Sequence, residues 1–309
     1  MESKFKGKHF LTCEDWSKEE LEIVFNTSFE LKEKFYKEEP TRYLQDKTLF
    51  MIFFEQSTRT RNSMEAGMTQ LGGHAHDLTA DKMQLSHGES AKDTAIILSR
   101  MGHGIASRNC FYGIGKDYLA EMAKHSSKPV MSLQDDVYHP FQGLADLMTI
   151  FEKFGKDTKG LKVTVSWAYA DTHAKPLSVP QTQILLFPRL GIDVTLAHPK
   201  EFPLSKNIVE KAKKNAKEGG GSIQFTNDMD EAFEGAQVVI PKNWGGFGPY
   251  SVQEYLDNEE DCKKIDDARL AVIKNGAQDD ISSKRKDIKT IQGISPMTRP
   301  NIEKRFFNR

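Results

Sequence analysis

The sequence has no uninterrupted apolar run of membrane-spanning length, and charges are spread through its first 37 residues. Neither a spanning helix nor a signal peptide can be drawn. Cysteine is scarce: Cys13, Cys110 and Cys262 lie far apart without CxxC or CxxH spacing, which argues against a disulfide framework and a zinc site. An excess of one charge is lacking too. Lys and Arg number 43 against 44 Asp and Glu, a net charge of -1, so no broad field captures nucleic acid or an anionic membrane. The expectation is a cytoplasmic protein with reduced thiols, no metal, no nucleic-acid partner and no membrane partner.

What is present suffices for packed cores. Hydrophobic residues make up 38% of the chain, and 309 residues exceed the size at which one core usually stops growing, so two domains are expected. Ser17 followed by Glu20 is a capping-box pattern, and Leu21, Val24, Phe25 and Phe29 share a face of the helix it opens. Residues 48–54 read as a strand buried on both faces, and a helix with Met64, Met68 and Leu71 follows, stopped by Gly72 and Gly73. The alternation continues with helix 93–101, strand 104–107, helix 118–124, strand 129–133 and an amphipathic helix over 141–154. After the polar segment 155–160 it restarts, with strands at 161–167, 192–197, 223–226 and 237–241 and helices at 178–190 and 205–218. The fold class is therefore α/β: two doubly wound parallel-sheet domains, residues 1–150 and 151–309, with a small-molecule cleft expected between them.

The densest chemistry is Ser57-Thr58-Arg59-Thr60-Arg61, between the first strand and its helix. Unpaired N–H groups and the dipole at a helix start favour an anion, and Arg offers paired donors that match phosphate oxygens. A solvated capping turn is the competing explanation from the residues alone, since Ser and Thr cap helices well.

Phe54-Glu55-Gln56-Ser57-Thr58-Arg59-Thr60-Arg61, with Leu71-Gly72-Gly73 downstream, resembles the carbamoyl-phosphate motif of the aspartate/ornithine carbamoyltransferase family. The resemblance extends through Gly88-Glu89-Ser90, Arg108, and His139-Pro140-Phe141-Gln142 with Leu144-Ala145-Asp146. It implies that Ser57, Thr58, Arg59 and Thr60 surround phosphate, that Arg108, His139 and Gln142 serve the carbamoyl group, and that no cofactor is needed. It also implies a homotrimer in which a loop bearing Gln84, Ser86 and His87 reaches a neighbouring subunit's site. From the residues alone, an ordinary polar loop fits equally well, and a turn histidine is the competing explanation for His139, weakened by its place after strand 129–133 and before a helix start bearing Gln142.

In the second half, Ser166-Trp167-Ala168-Tyr169, the segment 175–180 and the run Gly191-Ile192-Asp193 through Ala197-His198-Pro199 are similar to the knotted transcarbamylases. The likeness implies a proline-rich loop threaded by later chain, an exception to the usual unknotted topology. Pro241-Lys242-Asn243-Trp244 resembles the segment bordering a small amino-acid-like amine acceptor, where Lys242 would meet a carboxylate; a strand-end surface lysine fits the residues equally well. The family's late His-Cys-Leu-Pro motif has no counterpart. No histidine follows His198, and Cys262 precedes Lys263-Lys264. The basic tail 281–309 departs from the pattern, as a truncated or divergent C-terminal part would.

Overall fold

The structure, a computed structural model, describes residues 5–111, 114–168 and 175–245, with the side chains of Asp81, Ser86 and His87 left out. The chain divides into two compact units between Phe141 and Gln142. The boundary read from the sequence, at 150, lies farther along the same helix. No described helix is long and apolar enough to cross a membrane.

The first unit holds α1 (Lys18–Tyr36), β1 (Thr48–Phe53), α2 (Arg59–Gln70), β2 (His74–Thr79), α3 (Ala91–Met101), β3 (Gly104–Asn109), α4 (Gly115–His125), β4 (Val130–Asp135) and the start of α5 (Pro140–Phe154). The expected capping box opens α1, with Ser17 accepting the Glu20 N–H and the Glu20 carboxylate accepting the Ser17 N–H. The sheet order is β2-β1-β3-β4, and every pair is parallel. Side chains alternate across a strand, so the apolar run of β1 feeds two cores. Phe50 and Ile52 pack with Leu98 of α3 and Leu119 and Met122 of α4. Leu49, Met51 and Phe53 pack on the other face with Met68 of α2 and Leu133 of β4. Burying each such side chain contributes about 1.5–3 kcal/mol, which is why a two-faced apolar strand seeks the middle of a sheet.

β2 was not evident in the sequence. Its residues His-Ala-His-Asp-Leu-Thr bury only Ala75 fully, and it is an edge strand that borrows its order from β1.

The second unit repeats the plan with β5 (Lys162–Ala168), α6 (Ser178–Arg189), β6 (Asp193–Ala197), α7 (Lys206–Gly219), β7 (Ser222–Thr226), α8 (Met229–Phe233) and β8 (Val238–Asn243). Its sheet is also all parallel, in the order β7-β6-β5-β8. The short α8, absent from the sequence reading, is fixed by Asp228, whose carboxylate accepts the N–H groups of Asp230 and Glu231. Every residue of α6 from Ser178 to Pro188 is buried. Of the expected loop at 175–180, Ser178, Val179 and Pro180 form the first turn of that helix. Residues 169–174 and the tail, which bear on threading and on the late motif, lie outside the described residues.

α5 and α6 approach closely at Gly143. A Cβ built there would lie 2.7 Å from Cγ2 of Thr182 and 3.3 Å from Cδ2 of Leu186. Gly143→Ala should therefore lower stability by about 1–2 kcal/mol, although alanine is the better helix former, because overpacking a core outweighs propensity. Urea unfolding checks this. Adding Thr182→Ser, which removes the obstructing methyl, should restore most of the loss, and a Gly143→Ala protein as stable as its parent would refute the close packing.

Candidate functional site

In the first sheet the chain leaves β1 outward to β2 and then returns to β3 on the opposite side. That reversal opens a crevice at the carboxyl ends of β1 and β3, the usual ligand position in an open parallel sheet. Phe53 is paired with Arg108, so the turn 54–58 and Arg108 leave the sheet at the same level. The register slips between Ser107 and Arg108, a bulge of the kind that re-aims a side chain.

At that level α2 begins without a capping side chain. Thr58 occupies the cap position but makes no capping hydrogen bond, and no acid stands in the first turn. The leading N–H groups thus keep their capacity for an anion, and the capping-turn explanation loses its main support. Ser57 and Thr60 are half-buried, while Thr58 and Arg59 are exposed. The two arginines separate. Arg61 pairs with Asp77 of β2 and lies over the Phe53 ring, 4.1 Å from its centroid, so it fastens α2 to the sheet. Arg59 keeps its exposed position at the first residue of the helix.

Arg108 is largely buried, and its Nε stands 3.8 Å from Oε2 of Glu55 without a hydrogen bond. Glu55 Oε1 accepts the Cys110 N–H at 2.7 Å. Burial raises the Glu55 pKa, and the Cys110 N–H and the Arg108 charge pull it the other way. Arg108 is therefore a buried cation in loose contact with one carboxylate, which leaves donor capacity for an anion or a carbonyl.

β4 ends in a tight polar turn. Asp135 accepts the N–H groups of Val137 (2.8 Å) and Tyr138 (2.6 Å) on one oxygen and the Ser132 hydroxyl (2.8 Å) on the other. The turn delivers His139, buried at 8% exposure, immediately before α5. Gln142 lies in the first turn of α5, and its Nε2 donates to Asp146 Oδ1 at 2.8 Å. Oδ2 of Asp146 accepts Gln183 Nε2 of α6 at 2.6 Å. Neither Asp135 nor Asp146 was given a role from sequence, although the i,i+4 spacing of Gln142 and Asp146 was a usable signal.

In the second sheet the order reverses between β5 and β8, and Lys242 is paired with Trp167 across that junction. Lys242 is buried, not a surface lysine, and its Nζ donates to Oδ1 of Asn243 at 2.7 Å and to the Asn243 carbonyl at 2.5 Å. Trp244 is fully buried, donating its indole N–H to Phe202 O and accepting that of Trp167 on its carbonyl, each at 3.0 Å. Its ring is thus a packing group, and any contact with an acceptor does not use its N–H. Gln84 is exposed in the short 3-10 turn Gln84–His87, whose Ser86 and His87 side chains lie outside the described residues.

Burial pushes the Asp135 and Asp146 carboxyls up to about 7 against the hydrogen bonds that favour their ionised forms. Folded chain therefore holds protons that unfolded chain has released between about pH 4 and about pH 7, and stability should fall as pH rises through that window. Asp146→Asn, which removes one of the two titrations, should flatten the decline in Tm from pH 5 to pH 7.5. Equal slopes in parent and variant would show that Asp146 is already ionised at pH 5.

Comparison with known proteins accounts for both units. Residues 8–152 match the family described as aspartate/ornithine carbamoyltransferase, carbamoyl-P binding domain, and residues 163–278 match its Asp/Orn binding domain. YgeW of Escherichia coli strain K12, itself an unproven carbamoyltransferase, is 37% identical over 266 residues, 82% of this chain but 66% of YgeW, just under two thirds of its length. The ornithine carbamoyltransferase of Halalkalibacterium halodurans is 35% identical, with 87% of this chain and 81% of the relative covered. Among solved structures, the ornithine carbamoyltransferase from Pyrococcus furiosus superposes with a TM-score of 0.72 at 33% identity, covering 85% of this chain and 78% of that one. A variant N-acetyl-L-ornithine transcarbamylase complexed with carbamyl phosphate and N-succinyl-L-norvaline gives 0.73 at 31%, covering 84% and 81%. With the switch-point crevice and the uncapped helix start in place, these matches establish that the chain belongs to the aspartate/ornithine carbamoyltransferase family.

Proposed function

We propose that this chain is a carbamoyltransferase that binds carbamoyl phosphate and passes its carbamoyl group to the amine of a small amino-acid-like acceptor, releasing phosphate. The observation that carries the reading is the uncapped start of α2 at the same level of the sheet as the buried Arg108. The ornithine carbamoyltransferases among its relatives and the transcarbamylase solved with carbamyl phosphate support the substrate class.

In this reading the neutral amine attacks the carbamoyl carbon, the bond to the bridging phosphate oxygen breaks with its electron pair going to that oxygen, and the phosphate takes up the proton the amine loses and departs as a dianion. Ser57, Thr58, Arg59, Thr60 and the leading N–H groups of α2 hold the departing dianion. Arg108 and His139 donate to the carbamoyl oxygen as charge gathers there, and donors placed in advance are commonly worth about 10²- to 10³-fold in rate. Gln142 contacts the carbamoyl group. Lys242 takes a carboxylate of the acceptor, with Trp244 packed beside it. Residues 1–150 would be the carbamoyl-phosphate domain and 151–309 the acceptor domain. A cytoplasmic homotrimer with Gln84, Ser86 and His87 facing a neighbouring site belongs to the same reading.

A second reading, a descendant that binds carbamoyl phosphate without turning it over, is favoured by one observation, the absence of a histidine after His198. Phosphate release that depends on an added amine, screened first with ornithine derivatives and diaminopropionate, selects the enzyme; binding without release selects the descendant.

Arg59→Ala should weaken phosphate binding at least about tenfold, since a charge-assisted contact contributes roughly 1.5–3 kcal/mol. Calorimetry showing unchanged affinity in a folded variant would remove the central assignment. His139→Ala should leave phosphate affinity intact and lower kcat, because its contact strengthens only as charge develops. An unchanged kcat would return His139 to a turn residue.

A further inference from the structure

His198 follows β6 directly and is half-buried. Its backbone N–H donates to the Thr226 carbonyl at 3.2 Å, its carbonyl accepts Asn227 Nδ2 at 2.8 Å, and its ring meets that of Trp244 edge-on with centroids 6.3 Å apart. Nδ1 lies 2.7 Å from the Pro199 carbonyl oxygen. A carbonyl oxygen only accepts, so Nδ1 carries the proton, and Nε2 of the neutral ring carries a lone pair. Burial favours that neutral ring by lowering the His198 pKa, against the Pro199 hydrogen bond, which raises it. Nε2 takes no hydrogen bond among the described residues, yet it is not one of their sealed, unpartnered atoms, so it reaches solvent. The ring is thus fixed in place and tautomer with one acceptor open, more than packing requires.

Register gives that lone pair a neighbour. Ala197 of β6 and Pro241 of β8 are both paired with Ser166 of β5, and Lys242 is paired with Trp167. One residue beyond Ala197, His198 therefore stands at the level of Lys242, on the other side of Trp167. Both lie at the carboxyl ends of the strands, beside the β5–β8 reversal where an open parallel sheet takes its ligand. Their chemistry is opposite, since lysine offers only donors and Nε2 here only a lone pair. Two strand spacings, about 9–10 Å, separate them, which a hydrogen bond at each end and a carboxylate with a nitrogen on its neighbouring carbon can bridge. We propose that His198 binds the acceptor by taking a hydrogen bond from the N–H on the carbon next to the carboxylate held by Lys242. The inference rests on the role given to Lys242 above. Lys242 and His198 together admit the acceptor in one direction, and either a free α-ammonium group or an acylated α-nitrogen supplies the N–H. An analogue without that N–H leaves the lone pair unmet and is rejected.

The experiment measures binding of L-norvaline, N-acetyl-L-norvaline and pentanoate by calorimetry in saturating inorganic phosphate, without requiring turnover. The three share a carboxylate and an alkyl chain; the first carries an α-ammonium group, the second an amide N–H and the third neither. Wild-type protein should prefer one of the two nitrogen-bearing probes to pentanoate by about tenfold or more, and the one preferred identifies the source of the N–H. In His198→Phe, which keeps a ring against Trp244 and removes the lone pair, the preference should fall to within about threefold with phosphate bound as before, a change in ratio that a purely structural role would not produce. His198→Gln, whose Oε1 can stand in for Nε2, should keep a preference. If His198→Phe does not fold, nitrogen NMR of wild-type protein labelled at histidine decides the matter, because the His198 Nε2 signal should move with the preferred probe and stay with pentanoate. No preference in wild type, a preference that persists in folded His198→Phe, or an unmoved Nε2 signal each overturns the role of His198 and leaves the phosphate site standing. A wild-type chain that fails to bind phosphate itself overturns the carbamoyl phosphate reading instead.

Discussion

A parallel strand paired along both edges commits its backbone groups to its neighbours, and β1, bonded to β2 on one side and β3 on the other, is held in this way. Because its side chains are also buried on both faces, β1 cannot slide by one residue without exchanging the two cores that Phe50 and Ile52, and Leu49, Met51 and Phe53, supply. Register is therefore fixed to the residue at Phe53, paired with Arg108. The helix start at Arg59 inherits that precision. A diffuse scaffold could place an arginine near an anion, but this one sets two of them at a defined level of the same sheet.

The strands β1 and β3 to β8 were legible in the sequence, as were the helices α1 to α7. β2 and α8 were not. β2 is polar and holds its place through β1, and α8 depends on a single aspartate cap. The same division runs through the candidate site. The segment from Ser57 to Arg61 announced itself, but the separate duties of Arg59 and Arg61 did not, because Asp77, which takes Arg61, lies on the strand that went unread. The burial of Lys242 and the packing of Trp244 depend on strand order and on Phe202, neither of which periodicity reveals.

Two carboxylates sit where an apolar residue would be more comfortable. Asp135 and Asp146 are buried among hydrogen-bond donors that only partly offset the loss of water, as their raised pKa values record. Each fixes a polar group in one orientation: Asp135 closes the turn before His139, and Asp146 sets the sense of the Gln142 amide. A fold optimised for stability alone would discard both. The two acids flank the His139–Gln142 segment in the sequence, so the cost falls on the residues that hold that segment.

α6 has no residue between Ser178 and Pro188 that reaches solvent. A helix enclosed on every side cannot change one residue without a matching change in whatever touches it, so its sequence is locked to its surroundings. Strand ends and loops carry no such constraint. For a lineage adapting its second unit to a new ligand, the route of least resistance therefore runs around α6, through the tips of β5, β6 and β8, with the buried helix serving as the fixed wall against which those tips are free to vary.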